Sequence, residues 1–329
     1  MALVGIIANP ASGKDIRRLT AYGSVFDNQE KVRIVRRVLL GLSAVGVDRI
    51  LYMPDSYNIF HQAIDPLEIS IQSSPTPFPI EGNQDDTIKA ARFMEEQKAD
   101  CIITLGGDGT NRVVVKGNST VPILPISTGT NNVFPFMAEA TLAGLAAGLV
   151  ARGLVPMESS IFTSTKLEVI IDDKVMDLAL VDAAVYDDIF TGSRAVWEID
   201  KVSQIFLNRA EPDSIGLSSI GGFIQPISAA SPRGLYVELG KNGFLINAPI
   251  APGLIQPVPI RDHFIMETGI EIRVRRLPCV LALDGEREVV IQEGQNAAVR
   301  LSLEGPKVID IKAAMAQAVK KGVFKAKKI

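Results

Sequence analysis

The chain has 329 residues, 47% of them hydrophobic, with 34 Lys and Arg against 37 Asp and Glu and a formal charge of −3. That length accommodates two domains more readily than one, and the charge balance gives no global positive field for nucleic acid or an anionic membrane. Only Cys101 and Cys279 are present, each inside an apolar run, which reads as buried thiols in a reducing cytoplasm rather than a disulfide framework or zinc site.

An apolar run from Ala2 to Ala8 predicts a first buried strand, and Asn9, Pro10, Ala11, Ser12, Gly13 and Lys14 follow it at once. Ser12 offers a hydroxyl, Gly13 a close backbone approach and Lys14 a positive charge, a set suited to an anion. Neither G-x-x-x-x-G-K-[ST] nor G-x-G-x-x-G is present, which removes the usual warrants for a P-loop or a nicotinamide-binding loop. Val32, Val35, Leu39 and Leu42 form a helical stripe, entered at Asp27 or Asn28 and left at Gly46. A strand at Arg49 to Met53 follows, then a Pro- and Ser-rich stretch from Pro54 to Gly82 that reads as a lid, a subunit contact or a surface insertion. Ile88, Ala91 and Met94 form a second helical stripe before a strand at Asp100 to Leu105.

Gly106, Gly107, Asp108, Gly109 and Thr110 follow that strand directly. Glycines permit positive φ and close backbone approach, and the amides opening the next helix offer donors and a favourable dipole to a phosphate. A carboxylate at Asp108 suits magnesium or a reacting hydroxyl. The same residues would also serve an ordinary strand-to-helix turn. After a strand at Val121 to Ile126 come Ser127, Thr128, Gly129, Thr130, Asn131 and Asn132, the two asparagines suited either to a ribose or adenine edge or to capping a helix. This βαβα order predicts right-handed crossovers and a Rossmann-like parallel sheet with the three loops at its carboxyl edge.

A helix from Met137 to about Arg152 connects the halves, and its uncharged run falls short of the roughly 18 residues that a membrane span requires. The amino terminus shows no charged leader ahead of its apolar stretch. Thr165 to Ile171, the pair Asp172 and Asp173, and Lys174 to Tyr186 predict a hairpin; further strands are expected at Leu235 to Leu239, Ile270 to Arg275, Val280 to Leu283 and Ala297 to Leu303. Ile311 to Lys321 predicts a closing helix. The expected organisation is therefore an α/β nucleotide-binding domain over 1–136, a mainly-β substrate-binding domain over 137–305, and a segment 306–329 that rejoins the first. His61 and His263 lack a companion Ser or Cys motif and do not enter the catalytic set.

NPASGK, GGDGT and STGTNN together resemble the superfamily that joins NAD kinases with diacylglycerol and sphingosine kinases and, more distantly, phosphofructokinases. SSIGGFIQPIS at Ser218 to Ser228, APIAPGL at Ala248 to Leu254, and Asp284, Gly285 and Glu286 extend the resemblance over most of the chain. TGTNNVFP and GSRAVW, the latter at Gly192 to Trp197, are similar to the ATP-NAD kinase-like group of acetoin-catabolism proteins X. The resemblance implies a soluble ATP-dependent kinase acting on an alcohol, with the NAD 2′-hydroxyl the first expectation, magnesium arriving with the nucleotide, and a homo-oligomer, expected as a dimer.

By the same resemblance Asp108 orients or deprotonates the acceptor or holds magnesium. The phosphate set is Asn9, Ser12, Gly13, Lys14, Gly106, Gly107, Gly109, Thr110, Asn111, Thr128, Gly129, Thr130, Asn131 and Asn132, and the acceptor set is Asp182, Asp213 and Asp284. Val181 and Asp182 stand where NAD kinases carry an Asn-Glu pair, and STGTNN looks more like the lipid-kinase loop. Two other readings therefore stay open: a kinase of another small alcohol or lipid, and a nucleotide-binding protein without catalysis.

Overall fold

The computed structural model of the protein describes residues 1–13, 22–23, 26–129, 131–187 and 199–325. Strands β1 (Leu3–Ala8), β2 (Arg49–Tyr52), β3 (Gln72–Pro75), β4 (Cys101–Gly106) and β5 (Ile123–Ser127) pair in parallel in the order β3-β2-β1-β4-β5. β1, β4 and β5 are buried at every position, because helices cover both faces of the sheet. Helix α1 (Asn28–Ala44) starts where the Asp27 carboxylate accepts the Glu30 amide at 2.7 Å, and the chain leaves it through Gly46 at φ 73°. The predicted stripe of Val32, Val35, Leu39 and Leu42 is buried.

The stretch after β2 is not an irregular insertion. It forms the short helix α2 (Ile59–Ile64) and supplies β3, with the Phe60 ring stacked on Tyr52 at 4.0 Å and Asp55 accepting the amides of Tyr57 and Ile59. Helices α3 (Gln84–Glu96) and α4 (Asp108–Gly117) contribute to the core on one face of the sheet, with α1 and α5 (Ala140–Ala151) on the other. α1 and α5 cross at glycines: a Cβ on Gly41 would lie 2.4 Å from the Thr141 carbonyl oxygen, and one on Gly144 would lie 2.3 Å from that of Val38. No helix among the described residues is long and apolar enough to cross a membrane.

Beyond α5 the chain adds β6 (Ile161–Thr163) to the far edge of the first sheet and then builds two antiparallel sheets. β7 (Lys166–Ile171) and β8 (Lys174–Ala179) form the predicted hairpin, with Asp172 and Asp173 both at positive φ, the signature of a type I′ turn. The strand expected to run on to Tyr186 is instead two. At Leu180 and Val181 the backbone amides turn to the Asp284 carboxylate, and β9 (Asp182–Tyr186) joins a different sheet.

That sheet also contains β10 (Val202–Leu207), β11 (Arg233–Ala251), β12 (Leu254–Glu267), β14 (Cys279–Leu283) and β15 (Glu286–Ile291), in the order β12-β11-β10-β9-β14-β15; β13 (Glu271–Arg273) and β16 (Ala297–Ser302) join β7 and β8 in the order β13-β16-β7-β8. The two sheets share a core that includes Val169, Val185, Phe206, Leu281 and Val299, while helix α6 (Leu217–Ile224) contributes to a core on the other side of the larger sheet. The chain then returns: β17 (Lys307–Ile309) pairs in parallel with β5, and α7 (Ile311–Lys320), capped by Asp310, buries Ala314 and Ala318 in the core of α1 and α5.

Candidate functional site

Because β1, β4 and β5 are adjacent and parallel, the loops at their carboxyl ends meet. Asn9 Nδ2 donates to Thr110 Oγ1 at 2.9 Å, Ser12 and Thr128 share a hydroxyl hydrogen bond at 2.8 Å, and the Thr128 amide donates to the Gly106 carbonyl at 3.3 Å. The predicted anion-binding turns are therefore one structure. Its glycines are required by close approach: a Cβ at Gly106 would lie 2.4 Å from Thr110 Cβ, and one at Gly107 would lie 2.7 Å from Asn132 Oδ1. Gly13 adopts φ 72° with the Thr128 carbonyl 2.6 Å from where its Cβ would be. Lys14 and Thr130 lie outside the described residues.

Lys31, fully buried, holds the first loop from behind. Its Nζ donates to the carbonyls of Asn9 at 2.9 Å, Pro10 at 3.2 Å and Ser12 at 2.7 Å, and to Asn28 Oδ1 at 3.0 Å. These carbonyls are turned toward the helix by a cation that the sequence reading missed; the available signal was a lysine on the apolar side of a helix, four residues before Val35. Asn111, expected in the phosphate set, is also a buried residue. Its amide accepts from Thr104 at 2.6 Å and donates to the Gly107 carbonyl at 2.9 Å, so its side chain shapes the glycine loop. Asn132 likewise donates to Ser127 Oγ at 2.8 Å, while Asn131 lines the cleft beside Asp108.

Asp108 opens α4 at the floor of this assembly. Its Oδ1 accepts the Phe134 amide at 2.7 Å and the Val133 amide at 3.0 Å. Burial, followed by the nearby Asp284 carboxylate, pushes its pKa up to about 7, against those amides and the positive charge of Arg209. A carboxylate near neutrality can exchange a proton at working pH.

Asp108, Arg112 and Lys116 recur at four-residue intervals on α4 and form one face, a spacing legible in the sequence. Arg112 meets Asp177 and Asp284, each at 3.6 Å, and Lys116 meets Asp177 at 2.7 Å, so this face of the first unit is joined to the second by charge. Asp284, at φ 52°, accepts the amides of Leu180 at 2.9 Å, Val181 at 2.8 Å and Asp182 at 3.3 Å. It is a structural acceptor at the edge of the cleft. Burial raises its pKa, with Arg112 opposing.

A cleft open to solvent lies between the units. Asp108, Asp182 and Asp284 supply its acids; Val133, Ile199, Ile215, Leu217 and Ile250 supply apolar lining. Asp182 is thus a buried cleft residue, whereas Asp213, the other residue of the expected acceptor set besides Asp284, is exposed and is not among the residues lining this cleft. Glu286 reaches back to within 3.3 Å of where a Cβ on Gly109 would lie, bringing the late Asp-Gly turn against the glycine loop. Among the described residues no group of three or more His, Cys, Asp or Glu could hold a metal ion, so these residues present no ready-made magnesium cage.

The family description ATP-NAD kinase N-terminal domain matches residues 4–154, and acetoin catabolism protein X C-terminal domain matches residues 165–304. Acetoin catabolism protein X of Cupriavidus necator is 38% identical over 332 residues, covering 96% of this chain and 92% of that protein. Among solved structures, a putative diacylglycerol kinase from Bacillus anthracis is 14% identical, with a TM-score of 0.43 over 93% of this chain and 97% of that one. The chain belongs to the family of acetoin catabolism protein X and carries a kinase-family amino-terminal domain.

Proposed function

We propose that the protein transfers the terminal phosphoryl group of ATP to an alcohol bound in the cleft between its two units. The observation that carries this reading is the Asp108 carboxylate, buried where three hydrogen-bonded glycine-bearing turns meet the cleft, with burial raising its pKa to about 7. The glycine cradle fits phosphates: backbone amides at Gly107, Gly109 and Thr110 and the hydroxyls of Ser12, Thr110 and Thr128 would hold them. Magnesium bound with ATP would neutralise phosphate charge, and Asp108 would be the residue to meet it. Asp108 would accept the acceptor's hydroxyl proton at a carboxylate oxygen as the alcohol oxygen bonds to the terminal phosphorus and the bond to the leaving ADP oxygen breaks. The amides of Val133 and Phe134 hold that carboxylate in place.

The NAD 2′-hydroxyl is the first acceptor to test. A second reading, a smaller alcohol, is favoured by Val181, which is fully buried and contributes only its amide to Asp284, leaving no polar side chain there to hold a dinucleotide. Terminally labelled ATP with NAD and with a panel of neutral alcohols separates them: labelled NADP supports the first, and a labelled alcohol phosphate without NADP supports the second. Calorimetric binding of ATP with no transfer to any acceptor would leave a nucleotide-binding protein and overturn both.

A further inference from the structure

The near-neutral charge balance of the chain hides a segregation. All 37 Asp and Glu lie at or before Asp310, and the sequence from Ile311 onward carries Lys312, Lys320, Lys321, Lys325, Lys327 and Lys328 with no acid among them. Lys327 and Lys328 lie outside the described residues. Helix α7 buries Ala314 and Ala318 and turns its opposite side to solvent, where Lys312, Ala316, Val319 and Lys320 fall at helical spacing and are all exposed. The helix ends in a Schellman motif: the Gly322 amide, at φ 69°, donates to the Val319 carbonyl at 3.0 Å, and the Val323 amide to that of Ala318 at 3.0 Å. This turn packs Val323 against the core of α1 and α5 and leaves Phe324 46% exposed, with Lys321 and Lys325 exposed as well.

Cations in the last turn complement the helix dipole, which accounts for Lys320 and Lys321. The dipole does not account for Lys312 in the first turn, where it disfavours a cation, nor for Val319 at 66% exposure and Phe324 among the lysines. Lys312, Lys320, Lys321 and Lys325 form no ion pair among the described residues, so their charge is open to a partner. Two acids lie at the other end of the helix: Asp310, which caps it, and Glu158, in the turn whose Ser160 carbonyl accepts the Asp310 amide.

We propose that this face of α7 docks on an anionic lipid surface, the lysines meeting headgroup phosphates and Val319 and Phe324 entering the boundary between headgroups and acyl chains. Charge complementarity fixes the sign of the partner. The exposed apolar pair selects lipid over nucleic acid, because a phosphate backbone in water gains nothing from a valine whereas the lipid boundary does. Attachment is peripheral, since no described helix is long and apolar enough to cross a bilayer. Phosphoryl transfer forms no part of the proposal.

The test is co-sedimentation of the full chain with vesicles of phosphatidylcholine alone or mixed with phosphatidylglycerol. Binding is expected to the mixed vesicles only and should fall as salt rises, because exposed charges are screened. Lys320→Gln combined with Lys321→Gln should weaken it by at least about tenfold, and Phe324→Ser by a smaller factor with its salt dependence kept. These side chains are exposed, so melting temperatures should stay at the parent value. No binding to either vesicle, equal binding to both, or undiminished binding by the double variant would overturn the proposal. Tighter binding to duplex DNA or to polyglutamate than to the mixed vesicles, indifferent to Phe324→Ser, would assign the face to another polyanion and overturn it as well.

Discussion

Asp108 and Lys31 are two buried charges with opposite solutions to the same problem, since an ion removed from water must find compensating dipoles. Lys31 finds four oxygen acceptors at hydrogen-bond distance; replacing it with Met should leave these carbonyls unpaired, lower stability by about 2–4 kcal/mol in urea titrations and weaken ATP binding by calorimetry. Asp108 is less fully compensated, which is why its pKa is raised. If it is the base, turnover should rise as pH passes through about 7 and level off above, and Asp108→Asn should lose that limb together with about 10²- to 10⁴-fold in rate. The stability consequence has the opposite sign. A carboxyl with its pKa raised from 3.8 to about 7 binds its proton more tightly in the folded state, so its contribution declines as pH rises across that window. Urea midpoints at pH 5 and pH 8 should converge in Asp108→Asn; an equal pH dependence in both proteins would remove Asp108 as its source.

Local elements carry their own tests. The β7–β8 turn places Asp172 and Asp173 at φ 50° and 63°, a conformation that costs an L side chain. Asp172 is held there because its carboxylate accepts the Asn296 amide at 3.0 Å. Asp173→Gly should therefore stabilise the protein by up to about 1 kcal/mol, seen as a higher melting temperature with unchanged turnover. This hairpin was legible because Asp-Asp between alternating apolar runs is a turn signal. The break at Leu180 and Val181 was not, since the carboxylate that takes their amides is 104 and 103 residues away in the chain. Likewise Pro54 to Gly82 looked irregular because α2 is short and β3 is four exposed residues at a sheet edge, too little for periodicity to register.

Across the whole molecule, the two units are joined by charge at the cleft. α4 presents Arg112 and Lys116 to Asp284 and Asp177, and Asp284 in turn holds three amides where the chain passes from β8 to β9. Asp284→Ala should cost about 3–5 kcal/mol and disturb both halves, so that urea unfolding monitored by circular dichroism and by aromatic fluorescence shifts together. A small loss, below about 1 kcal/mol, would show that Asp284 does not hold this junction.

The sequence alone determined the α/β order of the first half, the mainly-β second half, the three glycine-bearing turns and Asp108 between them, because each is written in a few consecutive residues whose backbone demands are local. Tertiary structure decided which neighbours those turns acquire. It brought Asp182 and Asp284 to the cleft, left Asp213 exposed, turned Asn111 inward and placed Lys31, Arg112 and Arg209 around the site. Charges separated by many residues in the chain take their meaning only from the low-dielectric space they share, and that space exists only once both units have packed.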